Sequence, residues 1–386
     1  METNNIPVAP ATAPEPVAFP AEVIARLRLA SVAGISPRLA ARLVAEFGSA
    51  AAVMTAGARG GRAGWQCVRG VGKARAALAA TAPSVDEVTA ELQRAAAADA
   101  DVVWPGSDDW PSGLSDLADP PLLVFRRGVL QECDLRGVAI VGSRRASAYG
   151  RAQARRIAAG LATAGITVIS GLARGVDSEA HRGALSAGGR TVGVLGGGLA
   201  RFYPPENVPL ARDIVNGRGA VLSEFPLDMP PMPYHFPRRN RILAAMSAAV
   251  VVVEATERSG SLITADHALD IGREVLAVPG RVDSPGSRGT HRLLREGAAL
   301  CEGVEDVLRA LGLELEDDDS GDADGIPPSV DDSERAVLVA LAGEERYADD
   351  LIELLDIDAD AVLTSLASLE LRNLIAMSGD GRYGRT

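Results

Sequence analysis

Several short segments of this 386-residue chain carry side chains suited to holding phosphate. In Gly142-Ser143-Arg144-Arg145-Ala146-Ser147, a glycine that permits close backbone approach precedes hydroxyls and guanidinium groups. Ser170-Gly171-Leu172-Ala173-Arg174-Gly175-Val176-Asp177 repeats the recipe, and Gly196-Gly197-Gly198 has Arg201 and Tyr203 close behind. Phe236-Pro237-Arg238-Arg239-Asn240-Arg241 is strongly basic, and Arg258-Ser259-Gly260-Ser261 follows shortly after Glu254. Free N–H groups ahead of a helix can hold an anion, and arginine adds a charge-assisted partner. One such turn signifies only turn chemistry. Several on one edge of one sheet describe a rim of phosphate cradles rather than a single cofactor pocket.

The elements that must position these loops are legible around them. Val138–Val141, Ile166–Ile169, Thr191–Leu195, Ala220–Leu222, Val250–Val253 and Val275–Val278 are short, continuously apolar runs. Strands buried on both faces of a parallel sheet read this way. Helical patterns at Gly150–Ala164, Ser178–Ala187, Asn240–Ser247 and Ser261–Ile271 separate several of them. Strand–helix alternation predicts an α/β, doubly wound, mostly parallel sheet with right-handed crossovers. Ligands of such sheets sit beyond the carboxyl ends of the strands, where these loops lie.

Enzyme signatures fit poorly. No G-x-G-x-x-G follows the first strand, and no Walker-type loop occurs; Gly70-Val71-Gly72-Lys73 lacks both its spacing and its hydroxyl. His181, His235, His267 and His291 show no metal spacing. Asp177 and His181 are four residues apart and could face each other on a helix; a helix N-cap by Asp177 with a structural His181 is the favoured reading over a catalytic dyad. Glu254 reads either as a general base or as a carboxylate that orders a neighbouring arginine. Cys67, Cys133 and Cys301 are too widely spaced for a disulfide framework or a zinc site and read as buried thiols. The expectation is a non-enzyme with no cofactor and no metal.

Charge separates the chain into unlike parts. The net charge is −12, yet residues 136–300 carry 21 Arg, no Lys and 13 acidic groups, a balance of +8. Residues 301–386 carry 6 Arg and 23 acidic groups, a balance of −17. A polyanion would meet the middle of the chain and be repelled by its end. Arginine suits bidentate phosphate contacts and stacking on bases, although Lys73 is the only lysine in the whole sequence. The expected organisation is a disordered tail over 1–20, a helical SAM-like or helix-hairpin-helix module over 21–98 and a Rossmann-like domain over 99–313, whose residues 99–135 are a connector. An acidic linker over 314–330 and a winged-helix-like module over 331–386 follow. With no secretory signal and no membrane-length apolar run, the expected location is the cytoplasm.

The two ends leave alternatives open. Val32–Pro37 leading into Leu39–Phe47, and Val68–Lys73 leading into Ala74–Ala80, have the form of helix-hairpin-helix turns, whose N–H groups can contact DNA phosphate without reading sequence. A small helical protein-interaction module explains them equally. At the other end, helices over Asp332–Leu341, Ala348–Leu355 and Asp360–Leu374 precede a glycine turn at Gly379-Asp380-Gly381. The recognition helix of this winged helix has Asp358, Asp360 and Glu370 against Arg372 alone, which favours a protein contact over groove binding.

Taken in order, Ile140–Arg144, Ser170–Asp177 with Ala180-His181, Phe236–Arg241 and Ser259–Thr264 resemble the DNA-processing protein A (DprA/Smf) family, closely over about residues 100–303. The resemblance implies an extended Rossmann-like domain that binds single-stranded DNA, forms a homodimer and loads the RecA recombinase onto incoming DNA in natural transformation. It further implies that the Gly142–Arg144 turn grips phosphate, that Arg174 is the basic residue of the pocket, and that Arg238, Asn240 and Arg241 complete it. The candidate DNA-binding set is Gly142, Ser143, Arg144, Ser147, Arg174, Gly175, Gly197, Arg238, Asn240, Arg241, Ser259, Gly260 and Ser261. Gly289-Thr290-His291 departs from the family, which usually has Asn in the last place. The rival reading is an enzyme of the related nucleotide phosphoribohydrolase type. Those proteins carry a Gly-Gly-x-Gly-Thr-x-x-Glu turn, and here Ser259–Thr264 stands in its place without the glutamate. A third reading is a structural adaptor that uses the helical ends.

Overall fold

The computed structural model describes residues 18–60, 64–217, 219–313, 330–342, 344–355, 357–372, 374–378 and 381–385. Most of the expected disordered tail, nearly all of the acidic linker and the Gly379-Asp380 pair lie outside the described residues. By internal contacts the chain divides into Met1–Leu313 and Glu314–Thr386. Among the described residues no single helix is long and apolar enough to cross a membrane.

The first unit opens with helices α1 (Ala21–Ala30), α2 (Pro37–Phe47), α3 (Ala50–Arg59), α4 (Lys73–Ala77) and α5 (Val85–Ala97). Strands β1 (Asp101–Val103), β2 (Val124–Gly128) and β3 (Gly137–Val141) follow. Helix α6 (Ala148–Thr163), β4 (Val168–Ser170), α7 (Val176–Ser186), β5 (Thr191–Val194), α8 (Val208–Asn216) and β6 (Ala220–Ser223) build one half of the sheet. Helix α9 (His235–Ala245), β7 (Ser247–Val252), α10 (Gly260–Asp270), β8 (Glu274–Ala277), α11 (Arg288–Arg295), β9 (Ala299–Leu300) and α12 (Val304–Ala310) build the other.

The nine strands form one sheet in the order β1-β2-β6-β5-β4-β3-β7-β8-β9. From β6 to β9 every pairing is parallel. The order reverses at β3, which pairs with β4 on one side and β7 on the other. Loops leaving β3 and β7 therefore diverge over opposite faces and open a crevice between them, the binding position of doubly wound sheets. The alternating residues of β3 feed both layers: Val138 and Ile140 pack with α6, α7 and α12, whereas Ala139 and Val141 pack with α9, α10 and α11.

The segment read as a connector adds two antiparallel strands to the sheet edge. Strand β2 carries buried Arg126 and Arg127, which break the apolar run by which the other strands declare themselves. Arg126 is satisfied by Asp101 and Asp109. Helices α1 and α5 share one apolar cluster with β2, β6 and α8, through Val23, Leu27, Val88, Leu92, Phe125 and Ile214 among others. The cysteine reading needs correction. Cys301 is buried, and burial pushes its thiol up to about 12, but Cys67 and Cys133 are exposed. Each of these two lies in a single 3₁₀ turn whose buried position is taken by a neighbour, Trp65 or Asp134.

The second unit comprises α13 (Asp332–Ala340), α14 (Ala348–Leu354), α15 (Ala359–Leu371) and the antiparallel pair β10 (Ile375–Met377) and β11 (Tyr383–Arg385), the helices and wing of a winged helix. Val337, Leu338, Leu351, Val362, Leu366, Leu369 and Ile375 form its core. Arg372, at the end of the recognition helix α15, is bound to buried Glu334 at 2.9 Å.

Candidate nucleic-acid interface

A cavity of about 620 Å³ opens at the point where the strand order reverses. Its walls come from the loops after β3 and β4, the segment entering α9, and the N-terminus of α10. Glycines let these segments approach. A Cβ on Gly142 would stand 2.7 Å from Val176 Cγ2. Gly175 has φ +77°, and a Cβ there would stand 2.3 Å from the Ser143 carbonyl oxygen. The loops after β3 and β4 thus mesh backbone to backbone, and Val176 N donates to Ser143 O at 3.2 Å. Ser143 N donates to Glu254 O at 2.7 Å, which ties the loop to the end of β7.

Of the candidate set, Gly142, Ser143, Arg144, Asn240, Ser259, Gly260 and Ser261 line this cavity. Arg174 lines an adjoining hollow of about 220 Å³, with Arg144, Tyr203 and Phe236 shared between the two. The wall between them is a row of planar groups. The Arg144 guanidinium lies 4.5 Å from the Phe236 ring centre, Phe236 and Tyr203 are 6.0 Å apart, and the Arg174 guanidinium lies 5.9 Å from Tyr203. Arg144 is exposed and has no carboxylate partner among the described residues. Arg174 is bound to exposed Glu206, which raises its pKa, so a phosphate would have to displace that carboxylate.

The other candidates stand elsewhere. Ser147 caps α6 by accepting from Gly150 N at 3.0 Å, and its hydroxyl donates to Glu254 at 2.6 Å. Glu254 is thereby engaged with Ser147, neither ordering an arginine nor aimed at the cavity as a base. Gly197 accepts from Ser223 Oγ at 2.8 Å and packs beneath Pro231. Arg238 and Arg241 both turn to Glu224, behind the cavity; Arg241 also approaches Asp119 at 3.5 Å. Glu224 and Arg241 are 5% and 2% exposed, so they form a buried structural pair. The helix begins at His235 rather than Asn240, and its phase sends Arg239 into the cavity instead. Sequence reasoning left Arg239 out of the site because four adjacent polar residues do not reveal which of them faces the crevice.

Arg239 is buried, lies over Gly171 and donates to Val194 O. Burial lowers its pKa to about 10, against the attraction of Asp177, so it stays cationic at neutral pH. Asp177 is not a helix cap: Gly175 holds that position. The Asp177 carboxylate faces the cavity and Arg239, and burial raises its pKa against the pull of Arg239. His181 points away to Thr191 on β5 at 2.7 Å. Burial holds it to about 3, a structural histidine that stays neutral at physiological pH. On the far wall, Ser259 caps α10, Asn240 Nδ2 donates to Gly260 O at 3.0 Å, and the buried Thr264 hydroxyl has no partner among the described residues. The cavity thus combines cations, the buried Thr264 hydroxyl and an aromatic rim, which can hold a phosphate and a base together.

The family model described as DNA recombination-mediator protein A matches residues 101–312, and the DprA winged helix domain matches residues 322–381. Protein Smf of Escherichia coli is 46% identical over 209 residues, which are 54% of this chain and 56% of that protein. The chain thus spans little more than half the length of that relative. The DNA processing protein DprA of Streptococcus pneumoniae is 42% identical over 52% of this chain and 71% of its own. The solved structure of DNA processing protein A from Streptococcus pneumoniae has a TM-score of 0.65 at 32% identity, covering 76% of this chain and 98% of that one. A structure concerned with single-stranded DNA binding by the protein from Helicobacter pylori has a TM-score of 0.50 at 29% identity, covering 55% and 95%.

Proposed function

Because the chain belongs to the DNA recombination-mediator protein A family, we propose that its cavity binds single-stranded DNA without reading sequence, and that it acts by binding rather than by catalysis. The observation that carries this reading is the row Arg144–Phe236–Tyr203–Arg174 along the cavity mouth. Two rings flanked by two cations suit a flexible strand, whose phosphates and unstacked bases are both accessible. A duplex hides its base faces and would engage only the cations. The family relationship supports the finer reading: the bound strand is handed to the RecA recombinase in natural transformation, by a homodimer in the cytoplasm. The phosphoribohydrolase alternative lacks its glutamate in Ser259–Thr264.

The test is the salt dependence of binding to oligo(dT). Arg144→Ala and Arg174→Ala should each lower the magnitude of the log–log slope by about 0.7, the increment for one phosphate on a single strand. Wild-type protein should prefer oligo(dT) over a duplex of equal length by at least about tenfold. Unchanged oligo(dT) affinity in a folded Arg144→Ala, Arg174→Ala double variant would move the site elsewhere. Release of a free base from a nucleoside monophosphate would favour the enzymatic reading.

A further inference from the structure

The balance of −3 over residues 1–135 hides a strongly basic stretch. Residues 31–82 carry seven basic side chains, Arg38, Arg42, Arg59, Arg62, Arg69, Lys73 and Arg75, against Glu46 alone. Five of them converge in space. Arg38 and Arg42 lie one turn apart on α2. Arg42 donates to Arg69 O, and Arg75 donates to Gly70 O at 3.1 Å, so both reach the turn that carries Arg69 and Lys73. The turn itself alternates. Val68 and Val71 are 5% and 6% exposed and anchor it to the helical core. Arg69, Gly70, Gly72 and Lys73 face outward.

Elsewhere arginines commonly find carboxylates, as Arg126, Arg190, Arg241 and Arg273 do. Among the described residues none of Arg38, Arg42, Arg69, Lys73 or Arg75 has one. Such a cluster, with no ion pair among the described residues and only Glu46, one turn beyond Arg42 on α2, as a nearby acidic residue on that helix, attracts an external polyanion. The turn itself carries no ring, and Trp65, three residues before it, is 1% exposed. Without a stacking platform a single strand gains little beyond its phosphates. A duplex, whose bases are already stacked and whose phosphates run at high linear density, fits this surface better.

We propose that the turn at Val68–Lys73, with Arg38 and Arg42 of α2 beside it, is a second nucleic-acid site that takes the phosphate backbone of duplex DNA. It differs in chemistry from the aromatic-lined cavity and fills independently of it. The chain then holds a duplex and a single strand at once.

The experiment uses the full chain, a blunt duplex and oligo(dT) of equal length, with an Arg69→Ala, Lys73→Ala double variant and the Arg144→Ala variant. Neither Arg69 nor Lys73 makes a side-chain contact that holds the fold, and an unchanged melting curve checks this. The double variant should bind duplex at least about tenfold more weakly at 0.15 M salt, with the slope reduced by about 1.8 for two lost phosphate contacts. Its oligo(dT) affinity should stay within about twofold of wild type, and Arg144→Ala should show the opposite pattern. Saturating oligo(dT) should leave the duplex bound. No duplex binding by wild type, equal duplex binding by the double variant, or a parallel loss for both probes would overturn the proposal. Failure of Arg144→Ala to affect oligo(dT) would count against the cavity alone.

Discussion

Phe236→Leu isolates the contribution of the aromatic rim. The ring is half-buried, supports the Arg144 guanidinium at 4.5 Å and faces Tyr203 at 6.0 Å. The site is a half-buried rim position and leucine keeps part of the apolar volume against Gly196, so the variant should fold. Loss of one base–aromatic stack is worth about 1–3 kcal/mol, which is about a 5- to 150-fold weaker Kd. Loss of the platform under Arg144 removes a further contact of about 0.5–1 kcal/mol, the range for an exposed cation–π pair. These two losses separate experimentally. Fluorescence anisotropy with labelled oligo(dT) reads their sum, and the same backbone carrying abasic sites reads the arginine part alone, about two- to fivefold. An equal loss on both probes would mean that Phe236 only props up Arg144. No loss on either would refute the stacking rim altogether.

Glu224→Gln should destabilise the first unit by about 3 kcal/mol or more, the usual result of breaking a buried pair. It should leave oligo(dT) affinity of the folded protein unchanged, because Arg238 and Arg241 face Glu224 rather than the cavity; a stable variant that bound DNA poorly would return both arginines to the site. His181 takes up its proton in the unfolded chain near pH 6.5 and in the folded chain only at about 3. Its contribution to stability is therefore full above pH 6.5 and is lost as pH falls toward 3, about 2 kcal/mol of it by pH 5. Urea unfolding of His181→Gln should show a correspondingly flatter acid limb, and identical limbs would refute the burial argument. A chain ending at Val330 should bind oligo(dT) at least as tightly as the full chain, since the removed module is acidic; a tenfold loss would make the winged helix a DNA contact.

How far the sequence reaches depends on the range of the forces involved. The parallel strands announce themselves because burial on both faces demands apolar residues in succession, and Val138–Val141 and Val250–Val253 supply them. Glycine-bearing loops at their ends then locate the cavity. Strand β2 stayed hidden because its two arginines are held by partners distant in sequence: Asp101 and Asp109 neutralise Arg126, and Arg127 donates to the Ala98 carbonyl. The choice of Arg239 over Arg238 and Arg241 depends on where α9 begins and on Glu224 lying behind it. Asp177 looked like a helix cap because it stands just before the expected helix over Ser178–Ala187, but the helix starts at Val176 with Gly175, at positive φ, in the cap position. Local pattern carried the scaffold and the loops; tertiary pairing decided which charges point inward.

The exposed turn that carries Lys73 holds the single ε-amine of the sequence. Amine-directed acylation, which proteins usually suffer at many places, has here one side-chain target besides the α-amine. A mild acylating reagent therefore acts as a site-selective footprinting probe of that turn, and a dye or cross-linker attached through it reports from one known position without any engineered residue.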